Sequence, residues 1–176
     1  MKKILLTFFF FIFSSITYGQ EKIVYLDTNY LLTQSEVGKY VNDKLKKIND
    51  KNNEEFKKIE LNIKSSEENL LKQKNILKKE DYQIKVSELQ NNYKSYQENR
   101  KKKNDELNKL RNNAVNVILK HINEILTKYS QTESISLIIE KKNVVIGKTN
   151  LDVTSEVMLL LNKKIKKIEM KQWLIN

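Results

Sequence analysis

Cysteine and proline are absent from this chain of 176 residues, histidine occurs once and glycine three times. Without cysteine there is neither a disulfide nor a thiol nucleophile, and the compartment cannot be read from redox chemistry. One histidine leaves only carboxylates as metal ligands, and these are spread along faces that read as exposed helix, so no metal centre is expected. Gly19, Gly38 and Gly147 are too scattered for a phosphate-cradling loop, and no cofactor is implied. The serines lack a base, and His121 falls at helical seam spacing, where a structural role is expected. These absences together argue against an enzyme.

Between Gly38 and Gly147 neither glycine nor proline interrupts the chain, which predicts one or two very long helices. One apolar face runs through Val41, Leu45, Ile48, Asn52, Phe56, Ile59, Ile63, Ser66, Leu70, Gln73 and Leu77, with two consecutive steps of four around Asn52. A second limb alternates steps of four and three through Tyr82, Val86, Leu89, Tyr93, Tyr96, Arg100, Lys103, Leu107, Leu110, Ala114, Val117 and His121, which is heptad spacing. The phase changes near Lys78 to Tyr82. With a turn at Lys79 to Asp81, antiparallel folding sets Leu77 by Tyr82, Leu70 by Leu89, Ile63 by Tyr96, Phe56 by Lys103 and Leu45 by Ala114. Limbs of roughly 43 residues would reach about 65 Å, far beyond the needs of a compact domain. Asn52, Arg100 and Lys103 make the middle of this seam polar, and the hairpin is expected to be weak and flexible there.

With 39% apolar and 31% charged residues, the composition suits a long solvated coiled coil. The formal charge is +11, or +9 once Lys2 and Lys3 are subtracted with the leader they belong to, and it favours acidic partners. That leader is residues 1–19: Lys2 and Lys3, an apolar run from Ile4 to Ile16, then Thr17-Tyr18-Gly19, with cleavage near Gly19 and Gln20. The apolar run is short of the ~20 residues that cross a bilayer, and a lipid anchor would need a cysteine. A soluble exported protein of the periplasm is the expectation.

The chain ends supply a base for the arm. Lys22 to Asp27 reads as a strand, with Thr28 as a helix cap and a short helix to Gly38. Ile135 to Ile139 and Val144 to Ile146 are β-branched runs separated by Glu140-Lys141-Lys142-Asn143, which predicts a hairpin. A last helix opens near Thr154 and runs through Ile165 and Ile168, with Lys163, Lys164, Lys166 and Lys167 in its last turns. Three short strands leave open edges, and the continuously apolar runs read as strands covered on both faces. Ile23, Val24, Tyr25, Ile135, Leu137, Ile138, Ile139, Val144, Val145 and Ile146 are therefore the expected oligomerisation strands, with arms projecting from a shared head. The divisions are a head over residues 20–40 and 115–169, an arm over 41–114 and a tail over 170–176. The fold class is α+β.

Two basic clusters are candidate binding sites: Lys78 and Lys79 at the arm tip, and Arg100, Lys101, Lys102 and Lys103 along the second limb. They suit unfolded clients or an anionic surface such as a membrane or lipopolysaccharide. The plainer reading is a solvated face whose lysines pair with Glu54, Glu55, Glu67, Glu68, Glu98 and Glu106. No nucleic-acid module is visible, so specific nucleic-acid binding is not expected. Tyr82, Tyr93 and Tyr96 fall in register with Val86 and Leu89 and are expected in the core. Trp173, Leu174 and Ile175 make the tail either a sticky docking segment or a loosely packed end.

The order of leader, Lys22-Ile-Val-Tyr-Leu-Asp27, short helix, lysine-rich helical hairpin, Ile135-Ser-Leu-Ile-Ile-Glu140, Val144-Val-Ile146 and Asp152-Val-Thr-Ser-Glu-Val157 resembles the OmpH-like (Skp) periplasmic chaperones. The resemblance spans about Glu21 to Lys167, and its specificity lies in the head wrapped around the arm. It implies a jellyfish-shaped homotrimer whose arms enclose a cavity, holding unfolded outer-membrane proteins without ATP. The arm is richer in Asn and Lys than the family pattern, and the tail runs past its end. An exported coiled-coil spacer binding folded envelope partners is the alternative.

Overall fold

Ser35 is the residue on which the two ends of the helical region divide. Its hydroxyl accepts from the Gly38 backbone N–H at 3.1 Å, which caps a new helix instead of letting the preceding one continue. The computed structural model describes residues 21–170; the expected leader with its cleavage point, and the tail beyond Met170, lie outside the described residues. In chain order the elements are β1 (Lys22–Leu26), α1 (Thr28–Gln34), α2 (Glu36–Gln73), α3 (Lys79–Thr132), β2 (Ile135–Glu140) and α4 (Thr154–Lys164), with short 3-10 turns at Lys141–Asn143 and Thr149–Leu151. Helices α2 and α3 pair as the long hairpin, and everything else gathers at its base.

Several expected boundaries move. Asp27, and not Thr28, caps α1, its carboxylate accepting from the Tyr30 N–H at 2.8 Å. Gly38 lies in the first turn of α2 and ends nothing. A Cβ at Gly38 would sit 2.1 Å from the Leu32 carbonyl oxygen, so the glycine is required by the close approach of α1. The arm turns at 74–78, a few residues before the expected Lys79 to Asp81, because α3 already begins at Lys79. At the other end α4 stops at Lys164. Lys166 and Lys167 lie beyond it in an extended strap, where Lys166 pairs with Glu36 at 3.2 Å.

The expected hairpin is not formed. β2 pairs with β1 in parallel, Ile23 opposite Leu137, Val24 opposite Ile138, Tyr25 opposite Ile139 and Leu26 opposite Glu140. The turn at Lys141–Asn143 carries the chain away from β2, and Val145 and Ile146 stand fully exposed. Continuous apolar runs suit parallel strands as well as hairpins, and a parallel pair needs a crossover connection. Here the crossover is the whole helical hairpin.

The core spans Val24 and Leu26 of β1, Leu31 of α1, Val37, Val41 and Leu45 of α2, Leu110, Ala114, Ile118, Ile122 and Ile125 of α3, and Val157 and Leu161 of α4. Past Ala114 the buried positions advance by four, to Ile118 and Ile122, so Val117 and His121 are only half-buried. An undistorted helix drifts away from a strict heptad, and the core-facing stripe here serves the head elements as well as α2. His121 has its Nδ1 3.7 Å from the Glu124 carboxylate, beyond hydrogen-bond reach. Ser134 takes a positive φ of 50°, which turns the chain out of α3 into β2.

Asp152 ties the head together. Its carboxylate accepts from the Thr154 N–H at 3.0 Å and from Lys141 Nζ at 2.7 Å, while Val153 N–H donates to the Tyr25 carbonyl at 3.0 Å. Burial works to raise the Asp152 pKa, but the hydrogen bonds from Lys141 and Thr154 together outweigh it and hold the carboxyl below the usual range.

Two outcomes are expected. Gly38→Ala loses about 1–3 kcal/mol of stability by urea unfolding, because the contact with the α1 backbone outweighs the helix-propensity gain of alanine. Gly147→Ala loses less, since its Cβ would meet side chains alone, the Tyr25 ring at 2.9 Å and Val144 Cγ1 at 3.3 Å, and no backbone. A depressed carboxyl stabilises the fold above its unfolded pKa and loses that contribution as pH falls through the folded value. The urea midpoint therefore drops on acidification below about pH 4, and Asp152→Asn flattens that fall.

Candidate functional site

The arm between the head and its tip is a two-helix layer, so each helix can bury only one stripe. Phe56, Leu70 and Tyr96 are buried along it, with Ile59, Ile63, Val86 and Leu89 partly covered. Ile63 lies near Tyr96 and Leu70 near Leu89, as antiparallel register requires. Tyr93 departs from the expected core position: it is half-exposed and touches Tyr96 from outside, with ring centroids 6.3 Å apart. Ser66 is also exposed.

The polar zone of the seam is occupied by a built cluster. Phe56 and Tyr96 meet edge to face at 6.0 Å, and the Arg100 guanidinium lies 5.7 Å from both ring centroids. Arg100 donates to the Tyr96 hydroxyl at 2.9 Å and to Glu60 at 3.3 Å, and the Tyr96 hydroxyl in turn donates to Glu60. Burial, and then the Glu60 carboxylate, push the Tyr96 phenol up. Cation–π contacts and hydrogen bonds thus compensate for a cation at a seam position. Glu60 was not among the expected pairing partners, yet the antiparallel register already placed it near Arg100.

The expected basic sites separate. Arg100 is tied into the cluster and Lys103 pairs with Glu106 at 3.4 Å, whereas Lys101 and Lys102 are exposed on the outer side of the same turn. Lys78 and Lys79 lie at the tip, where Lys78 is the N-cap of α3 without a side-chain cap. Cations at the positive end of a helix dipole are unfavourable by about 0.3–1 kcal/mol each, only partly offset by Glu80 and Asp81 in the first turn. Of the expected acidic partners, Glu55 also finds an ion pair, with Lys51 at 3.9 Å.

Apolar side chains off the seam are the feature that stripe counting passes over. Leu61, Leu71, Ile76 and Ile84 are 59%, 61%, 80% and 58% exposed, interleaved with the arm lysines and concentrated toward the tip. Their signal in the sequence is that they are apolar but out of phase with the stripe. At the other end, β1 is flanked by β2 on one side and by the Asp152 bridge on the other. The outer edge of β2 is open among the described residues, beside exposed Leu137.

The family described as Outer membrane protein (OmpH-like) matches residues 22–161, which includes both strands, the hairpin and α4 down to Leu161. The chain belongs to the OmpH-like family. A search of curated proteins finds no match. Among solved structures, an outer membrane chaperone (OmpH-like) from Caulobacter crescentus is similar in fold, with a TM-score of 0.78 at 18% identity over 86% of this chain and 89% of that one. Long paired helices on a small strand head are therefore an OmpH-like fold.

Among the described residues no helix is long and apolar enough to cross a membrane, and no group of His, Asp and Glu side chains could hold a metal ion. What this OmpH-like arm offers chemically is a surface of isolated apolar side chains set among cations. Phe56→Ala is expected to cost about 3–5 kcal/mol of local stability. Hydrogen exchange would then accelerate across residues 50–60 and 94–104 while the head stays protected. Arg100→Met keeps the packing and is expected to cost under about 1 kcal/mol.

Proposed function

We propose that this protein is an ATP-independent periplasmic holdase that keeps unfolded outer-membrane proteins from aggregating, within a cavity between the arms of a homotrimer. The observation that carries the reading is the exposure of Leu61, Leu71, Ile76 and Ile84 among lysines on a thin two-helix arm. A nascent β-barrel chain alternates apolar and polar residues, and its unpaired edges aggregate in water. Scattered apolar contacts, each weak, hold such a chain without fixing its conformation, and release follows when membrane insertion offers a deeper minimum. Membership of the OmpH-like family and the fold shared with the Caulobacter chaperone support the same role.

The trimer rests on the head. A two-stranded sheet is marginal alone, and the open edge of β2 together with exposed Leu137, Val145 and Ile146 gives further copies a place to add strands. In that assembly Val145 and Ile146, fully exposed among the described residues, find apolar partners, and Val144 is covered further. The leader sends the chain to the periplasm, and Lys78 and Lys79 at the tip bring the arm to anionic surfaces, a membrane or lipopolysaccharide.

Diluting an unfolded outer-membrane barrel protein from urea into an excess of the chain from residue 20 onward, without ATP, is expected to leave the solution clear. Replacing Leu71, Ile76 and Ile84 together by Gln is expected to restore turbidity at unchanged oligomer mass. Undiminished turbidity with the unaltered protein would favour a coiled-coil spacer that binds folded envelope partners. Solution mass at micromolar concentration is expected to be three times that of the mature chain, and a monomer would remove the cage.

A further inference from the structure

Between the Phe56 cluster and the tip, the arm carries two hollows of about 250 and 280 Å³ that lie end to end and share Ser66 and Asn92. Together they form a trough along the line where α2 meets α3. Its floor is apolar, made by the seam residues Ile59, Ile63, Leu70 and Leu89. Its walls are amides and hydroxyls: Asn62, Ser66 and Asn69 from α2 stand opposite Asn92, Ser95 and Asn99 from α3. Asn62 and Asn69 are seven residues apart, as are Asn92 and Asn99, so each pair returns to the same helix face after two turns. Among the described residues none of these six side chains is taken up by a hydrogen bond within the chain, unlike Gln73, which accepts from Lys85 at 2.7 Å. Of the residues that line the trough, only Lys85 and Glu88, toward the tip, are charged.

Local stability does not call for these residues. Asparagine is a poor helix former, and alanine, lysine or glutamate serves an exposed helix interior better. What an amide wall supplies is a donor and an acceptor on every side chain, without charge. The polypeptide backbone presents the same two groups in alternation. We propose that the trough binds an extended polypeptide through its backbone, the wall amides pairing with N–H and C=O groups along the strand while alternate side chains rest on the aliphatic floor. From Ile59 to Gln73 the helical rise gives the trough a length of about 21 Å, room for about six residues of an extended chain. A helical turn of about 5.4 Å does not match the strand repeat of about 6.8 Å, so no one register is favoured and the contact is independent of sequence. Phosphates find no cation along the asparagine walls, and a hydroxyl-rich sugar would set polar groups against the floor. This inference rests on the capture of unfolded chains proposed above, and it adds the backbone to the apolar side chains as what the arm recognises.

A short peptide of alternating valine and serine with one tryptophan, made with and without N-methyl groups on alternate backbone nitrogens, separates backbone recognition from side-chain recognition. By calorimetry with the chain from residue 20 onward, the N-methylated peptide is expected to bind about tenfold more weakly, the loss of one or two hydrogen bonds. Replacing Asn62, Asn69, Asn92 and Asn99 together by Ala, which preserves helicity, is expected to weaken the parent peptide by a similar factor and to erase the difference between the two peptides. Gln at the same four positions is expected to restore it. The natural absence of cysteine lets Ser66→Cys, in the trough, or Lys64→Cys, outside it, carry a single bimane fluorophore. Contact quenching by the peptide tryptophan is expected at position 66 and not at 64. Equal affinity of the unaltered chain for both peptides overturns backbone recognition, and quenching at 64 in preference to 66, or at neither, overturns the trough. Turbidity of the diluted barrel protein is followed with the same preparations. Aggregation despite an intact difference between the peptides sinks the holdase reading and upholds the trough, whereas suppression without that difference does the reverse.

Discussion

One apolar seam between two antiparallel helices governs the rest of this molecule. β1 leaves the head and β2 returns to it beside β1 in parallel, which is possible only if the intervening chain comes back to its starting point. The return depends on register. If α2 and α3 slipped by a turn, β2 would arrive about 5 Å out of place, and the pairing of Tyr25 with Ile139 would fail with it. Phe56 against Tyr96 midway, and Leu45 with Leu110 and Ala114 at the base, hold that register. A local contact far out on the arm therefore bears on the geometry of the head.

The same seam limits what the arm can hide. Two helices cover one stripe each, and apolar residues outside that stripe stay in water. Leu61, Leu71, Ile76 and Ile84 are not errors of packing within a domain, because among the described residues no further layer covers them. The cations Lys78 and Lys79 likewise stand where the helix dipole disfavours them. Structural economy explains neither group, whereas the proposed capture of unfolded, amphipathic chains would use both. Arg100 shows the contrast: it is a seam cation made compatible with stability by two aromatic faces and Glu60.

Much of this architecture was legible in the residues themselves. The absence of glycine and proline between Gly38 and Gly147, and the phase change between two apolar rhythms, disclosed the hairpin and its approximate pairing. Strand character at Lys22–Leu26 and Ile135–Glu140 was equally visible. Partner and direction were not. β-branched runs at 135–139 and 144–146 suit a hairpin locally, but β2 pairs across a separation of more than a hundred residues, and the turn at Lys141–Asn143 carries the second run away. Tyr93 failed for a related reason, since heptad counting gives its phase without showing what faces it across the seam, and it stays half-exposed.

The sequence by itself determined which residues would be helical and which face of each limb was apolar, because periodicity and the absence of breakers are local properties of the backbone; the order of its motifs also carried the resemblance to the OmpH-like family. Tertiary structure alone decided that the strands run parallel, that Gly38 is needed to admit the Leu32 carbonyl, and that Glu60 neutralises Arg100. Each of these depends on which distant atoms approach within a few ångströms, and spacing along the chain does not encode that distance.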